Sequence, residues 1–256
     1  MSNKKRTHTK ARRSSADRGS VRRLAGFLSV VLFLGLAITA GFYWEQNSTI
    51  RDVRFTGYNF TSQEDLTASF EAPVGMHADS VNFMDLIRQV KTLPYVRDAS
   101  VQMEASGSLT FRVEERQPLA LLIENDQRAF TDSEGIILPL ILEKQVDVPL
   151  LYGFQAPSVG DTLKSEAFLT VRDFLVSARS NKFGWATLSE VTYNQREGVI
   201  ALSHENGVKL LFGSGDFGEK LRYWETFYAE VVRTKGIRNF SSIDLRFRNQ
   251  IVTHEE

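Results

Sequence analysis

The residues with the most obvious chemical potential are Gly213-Ser-Gly215-Asp-Phe-Gly218, which spell G-x-G-x-x-G between a β-like run and a helical one. A dinucleotide fold uses such a turn to bring a pyrophosphate against backbone N–H groups at a helix N-terminus. That fold also requires an acidic residue about 20 positions on, closing the next strand, and further βαβ units. Asp244 comes later, within a strand-like run, and 12 residues follow it. The plain reading is a strand-to-helix turn in which Asp216 caps the helix. Asp216-Phe-Gly218 also spells the kinase metal triplet, but no H-R-D loop accompanies it. His204-Glu205 starts like a zinc-protease helix, yet Val208 stands where the second His is required. Asp132 and Glu134 could serve as an acid/base pair on a sugar, but acids beside Gly135 in a turn are ordinarily solvated. With no G-x-S-x-G elbow, no cysteine and four scattered histidines, the sequence supplies no catalytic, cofactor-binding or metal-ligating set. The expectation is a protein that is not an enzyme, takes no cofactor and binds other proteins.

The charge distribution shows where such a protein works. Lys plus Arg and Asp plus Glu each number 31, so the formal charge is zero. Residues 1–23 carry a charge of +8 and the remainder −8, a split that places the two parts in different surroundings. Between them Leu24 to Trp44 holds no charged residue. As a helix at ~1.5 Å per residue this run reaches roughly 30 Å, the thickness of a bilayer core. Phe42-Tyr43-Trp44 reads as an interfacial aromatic belt, and the basic flank places the N-terminus in the cytoplasm. A cleaved signal peptide is the competing reading, but its apolar core is shorter and its basic region briefer. The tail 1–23 lacks a hydrophobic period and is expected to be disordered, acting chiefly as a topology signal and not as a nucleic-acid binder.

Beyond the span, Ile50, Val53 and Phe55 read as a strand, and Thr61-Ser-Gln-Glu64 matches a capping box opening a short helix to about Phe70. Val81, Met84, Ile87 and Val90 follow helical spacing behind Asp79 or Ser80. Two alternating runs, through Ala99, Val101 and Met103 and through Leu109, Phe111 and Val113, form a hairpin. From Pro118 onward short strands dominate, at 119–124, 128–131, 136–138, 185–193, 199–203 and 208–212. One helix is expected through Phe168, Val171, Leu175 and Ala178. Another, from about Asp216 to Lys235, carries Leu221, Trp224, Phe227, Tyr228 and Val231 on one stripe. Ile243, Leu245 and Phe247 alternate in a closing strand. The fold class is α+β: one N-terminal transmembrane helix, a small βααββ domain over 49–117, and a mixed, mostly-β domain with two helices over 118–256.

The order of elements and the local sequence together resemble the FtsQ/DivIB family of bacterial cell-division proteins. The resemblance is carried by Leu93-Pro-Tyr-Val-Arg-Asp-Ala-Ser-Val101, by Leu109-Thr-Phe-Arg-Val-Glu-Glu-Arg-Gln-Pro-Leu-Ala120, by the turn in Phe130-Thr-Asp-Ser-Glu-Gly-Ile-Ile137, by Lys220-Leu221 and by Ile243-Asp-Leu-Arg-Phe247. It departs from the family pattern at Tyr95, where Trp is common, and at Phe247, where Tyr is common. The resemblance implies a POTRA domain followed by the family's β domain. It also implies a single-pass inner-membrane protein whose exported part, periplasmic or extracellular, holds FtsB-like and FtsL-like membrane division proteins at the septum, with no small-molecule substrate. Another membrane-anchored POTRA-type assembly or transport module, or an anchored envelope enzyme, is the alternative. A sheet-ending strand exposes unpaired N–H and C=O groups to which a partner segment can add. In the resembled family FtsB binds in this region, so the resemblance implies a partner surface at Ile243, Asp244, Leu245, Arg246, Phe247, Arg248, Asn249 and Ile251, with Tyr223, Phe227 and Tyr228 of the preceding helix beside it; the apolar Ile243, Leu245 and Phe247 are expected to serve the fold, and the backbone edge and the charges to serve binding.

Overall fold

The computed structural model describes residues 17–47, 49–125, 127–141, 144–155 and 158–255, with side chains of the first helix described over 22–41. The expected disorder of residues 1–16, the orientation of the Phe42-Tyr43-Trp44 side chains and the centre of the Asn125-Asp126-Gln127 turn lie outside these residues. Two compact units are present. One comprises the described residues of Met1–Arg54, Ala72–Asn82 and Gln102–Thr110, the other those of Phe55–Glu71, Phe83–Val101 and Phe111–Glu256.

Helix α1 runs Asp17–Asn47. It takes in Arg18, Arg22 and Arg23, so the last turns of the basic stretch are helical where disorder was expected; once the apolar run nucleates a helix, extending it by a few residues costs little. Arg22–Gly41 is long and apolar enough to cross a membrane, and its side chains are exposed on every face. The hydroxyls inside it bond back to the helix itself, Ser29 Oγ to the Gly26 carbonyl at 2.8 Å and Thr39 Oγ1 to that of Gly35 at 3.0 Å. A helix in hydrocarbon needs this, because lipid offers polar groups no partner.

Strand β1 (Asp52–Thr56), helices α2 (Gln63–Ala68) and α3 (Phe83–Val90) and strands β2 (Val96–Met103) and β3 (Ser108–Glu115) follow in the expected βααββ order. The sheet order is β1-β3-β2. Phe55, Phe70 and Phe111 pack ring to ring, with centroids 5.3 to 6.1 Å apart. The N-cap sits one residue later than expected: Ser62 is the cap, its Oγ accepting the Asp65 N–H at 3.0 Å and donating to the Asp65 carboxylate at 2.8 Å. Thr61, one residue earlier, is buried, and its N–H is held by Glu115.

Strands β4 (Pro118–Glu124), β5 (Gln127–Asp132), β6 (Ile137–Leu138), β7 (Leu150–Tyr152), β8 (Leu188–Asn194), β9 (Gly198–Ser203), β10 (Lys209–Gly213), β11 (Phe240–Asp244) and β12 (Val252–Glu255) make one mixed sheet in the order β12-β11-β10-β9-β8-β7-β4-β5-β6. The pairs β10 with β11, β4 with β7 and β7 with β8 are parallel. Helix α4 (Glu166–Ser180) contributes Phe168, Val171, Phe174 and Leu175 to one core, which also takes Leu122, Leu151, Val191, Val199, Leu210, Phe212 and Ile243 from the strands. Helix α5 (Lys182–Thr187) occupies the start of the strand expected from Trp185. Asn181 explains the difference: its Oδ1 accepts the Gly184 N–H at 2.7 Å, restarting a helix for six residues before β8 begins. Helix α6 (Phe217–Phe227) buries Leu221 and Trp224, then passes through a π turn at Tyr228–Val232. The extra residue in that turn shifts the buried stripe from Val231 to Val232.

Candidate functional site

Strand β3 alternates inward with Leu109, Phe111 and Val113, and the same period carries Glu115 inward. A buried carboxylate needs donors. The N–H groups of Asn59, Phe60 and Thr61 supply them at 2.6, 2.7 and 2.7 Å, so Glu115 ties the turn before α2 to β3. The neighbouring Arg116 donates to Asp132 and Glu134, each at 2.7 Å. Asp132 Oδ1 also accepts the N–H groups of Glu134 and Ile136, both at 2.9 Å. The Arg116 guanidinium, with Arg97 at 3.1 Å, holds the Glu134 carboxyl below its ordinary range. The two acids considered for sugar chemistry thus brace a turn.

The glycine-rich turn is also occupied from within. The Lys220 ammonium donates to the carbonyls of Phe212 at 2.8 Å and Ser214 at 3.0 Å. Burial lowers the pKa of this ammonium. Gly198 and Gly213 touch backbone to backbone; a Cβ on Gly198 would lie 2.4 Å from the Gly213 carbonyl carbon. Asp216 begins α6 in the left-handed conformation (φ 51°) without a side-chain cap, contrary to expectation; its carboxylate faces Arg248 at 3.7 Å. Its carbonyl accepts from Glu219 and Lys220 instead.

The segment expected to bind a partner is partly buried and partly exposed. Ile243 and Leu245 are fully buried, and the Leu245 N–H donates to the Leu211 carbonyl at 2.9 Å. Asp244 is buried beneath Arg246, whose Nε lies 2.9 and 3.0 Å from its two carboxylate oxygens. Burial works against the Asp244 charge, but this guanidinium and the Arg246 N–H outweigh it and hold the carboxyl below its ordinary range. Phe247 departs from the expected alternation: at 49% exposure it lies outside the core, with the Arg246 guanidinium 5.9 Å from its ring centre. Arg248 and Asn249 are exposed. Tyr223 Oη donates to Glu219 at 2.5 Å and lies 3.1 Å from Asn249 Oδ1, joining α6 to this loop, while Ile251 packs on the core. Phe227 meets Phe240 edge-on, and Tyr228 donates to Glu205 at 3.0 Å.

The closing strand of the sheet also differs from expectation. Strand β11 ends at Asp244 and has neighbours on both sides, β10 and β12. A two-sided strand offers no edge, so Ile243 and Asp244 cannot pair with an added segment. The edge belongs to Val252–Glu255, whose four residues are too few to register as a period. At the opposite end of the sheet the chain covers β6: Ile137 bonds Asp161 and Gly160, both at 2.9 Å, and Ile136 bridges Thr162. Among the described residues no such segment covers β12.

An apolar membrane-crossing helix, a small βααββ arrangement and a long mixed sheet define a single-pass membrane protein of α+β build. Among the described residues, no three His, Asp or Glu side chains cluster as metal ligands. A model of the family described as FtsQ/DivIB, C-terminal related, matches residues 117–254, more than half of the chain. The cell division protein FtsQ of Rhodothermus marinus is 28% identical over 97% of this chain and 91% of its own. That of Salinibacter ruber is 28% identical over 90% and 92%. The extracytoplasmic domain of the cell division protein DivIB from Geobacillus stearothermophilus matches 47% of this chain and 97% of its own, at 18% identity and a TM-score of 0.30. The chain belongs to the FtsQ/DivIB family of cell-division proteins.

Proposed function

We propose that the chain is a non-enzymatic scaffold of the divisome, with its N-terminus in the cytoplasm and residues 45–256 outside, arranged as a POTRA domain over 49–117 and a β domain over 118–256. At the septum it holds FtsB-like and FtsL-like membrane proteins. The partner segment adds as a strand to β12 and is gripped by Phe247, Arg248 and the Tyr223–Asn249 pair. The observation that carries this reading is the asymmetry of the sheet: the β6 end is covered by the 160–163 segment, whereas β12 has β11 on one side only. Main-chain pairing supplies affinity in such an addition and side chains supply register. The shortness of β12 limits pairing with unrelated strands.

The test is recovery of the two partners with the full chain from detergent-solubilised membranes. Successive N–H groups along β12 alternate between β11 and the open side, so of Thr253→Pro and His254→Pro one removes an outward donor and leaves β11 paired. That variant, and Phe247→Ala separately, lower recovery by roughly tenfold. Undiminished recovery with all three variants rules the edge out.

A further inference from the structure

We propose that the loop Ala72-Pro-Val-Gly-Met76 is a second membrane contact, resting on the lipid surface beside the exit of α1. The five residues carry no polar side chain, and four of them are exposed, with Val74 at 53% and Met76 at 48%. Pro73 is buried, and Val74, Gly75 and Met76 form an exposed run without a polar side chain, which on a soluble surface is a liability unless something covers it. What covers these follows from where they are tied. Ile50 donates its N–H to the Met76 carbonyl at 2.9 Å, Gly75 donates to the Ile50 carbonyl at 2.8 Å, and Thr49 bridges His77. Thr49 is two residues beyond Asn47, the last residue of α1. From Trp44, where the uncharged run ends, five residues lead to Thr49, the first three of them in α1, and such a stretch reaches at most about 12 Å. A headgroup layer is about 5–8 Å thick. The loop is therefore tethered within side-chain reach of the interface, where Val and Met can bury apolar surface among the acyl boundaries.

The proposal rests on α1 spanning the bilayer and is independent of the partner edge. The chain has no cysteine, so single labels are unambiguous. The full chain, labelled with a polarity-sensitive fluorophore at Val74→Cys, Met76→Cys, Leu32→Cys or Gln195→Cys, is placed in nanodiscs of phosphatidylethanolamine and phosphatidylglycerol. Nitroxide on the headgroup is expected to quench positions 74 and 76 several-fold more than exposed position 195, and Val74→Asp to abolish most of the quenching at 76. Leu32 responds to nitroxide in the acyl chain if α1 spans. Quenching at 32 with none at 74 and 76 overturns the loop contact while leaving the span intact. Labels at 74 and 76 that stay wet in pure lipid and dry only when membrane proteins are added overturn it as well, in favour of a protein partner.

Discussion

The Lys220 ammonium and the Phe212 carbonyl meet at 2.8 Å inside the glycine turn that precedes α6. Together with the bond to the Ser214 carbonyl at 3.0 Å, this ties the end of β10 and the glycine turn to the first turn of α6. Replacing Lys220 by Met keeps the aliphatic stem but leaves two carbonyls short of a donor. The expected loss is about 1–3 kcal/mol of stability, measured by denaturant unfolding of the full chain in detergent.

Glu115 holds three consecutive N–H groups from a buried position on β3. Glu115→Ala strands those donors and is expected to cost about 3 kcal/mol. Glu115→Gln keeps one acceptor oxygen and is expected to cost less. Comparing the midpoints of the two variants checks the order; equal losses would show that volume, not hydrogen bonding, is what Glu115 provides.

Gly198 sits at φ 74° with the backbone of Gly213 where its Cβ would be. Gly198→Ala therefore meets both a positive φ and backbone that cannot rotate away. The expected cost is about 3 kcal/mol. Gly160→Ala, at φ 90° but with open space around it, tests the conformational part alone and is expected to cost about 1 kcal/mol.

Asp244 and Glu134 are both held below the ordinary carboxylate range, through Arg246 and Arg116 respectively. A depressed folded pKa contributes stability that is present above the unfolded value, near 4, and is lost as pH falls through the folded one. Unfolding midpoints should accordingly be flat above about pH 5 and drop on further acidification. In Asp244→Asn the neutral-pH midpoint is lower and the acid drop smaller. A drop as steep as that of the unaltered chain would remove Asp244 from the account.

Leu245 and Phe247 stand two residues apart with opposite fates, one fully buried and the other half exposed. Leu245→Ala is expected to cost about 2–5 kcal/mol, and Phe247→Ala less than about 0.5 kcal/mol. Thermal unfolding followed by circular dichroism separates them. A large loss from Phe247→Ala would mean that its ring supports the fold and is not free to meet a partner.

What the sequence determined by itself was whatever is encoded locally. The uncharged run from Leu24 to Trp44 marks the membrane helix because hydropathy is a property of the segment. The βααββ order, the helices through Phe168 and Leu221 and the closing Ile243-Asp-Leu-Arg-Phe247 run are legible because periodicity and turn residues act over a few positions. The family was legible in the same short stretches. The tertiary structure decided what depends on residues distant in the chain. Strand β7 has only three residues and exists because β4 and β8 flank it. Ser62 and not Thr61 caps α2, and the Thr61 N–H goes to Glu115, 54 residues on, a partner no local pattern records. Phe247 has the alternation of a core residue, yet β11 stops at Asp244 and frees it. The edge passes from the 243–247 run to Val252–Glu255 for the same reason: whether a strand is an edge depends on what pairs with it, and no local pattern records which neighbours it lacks.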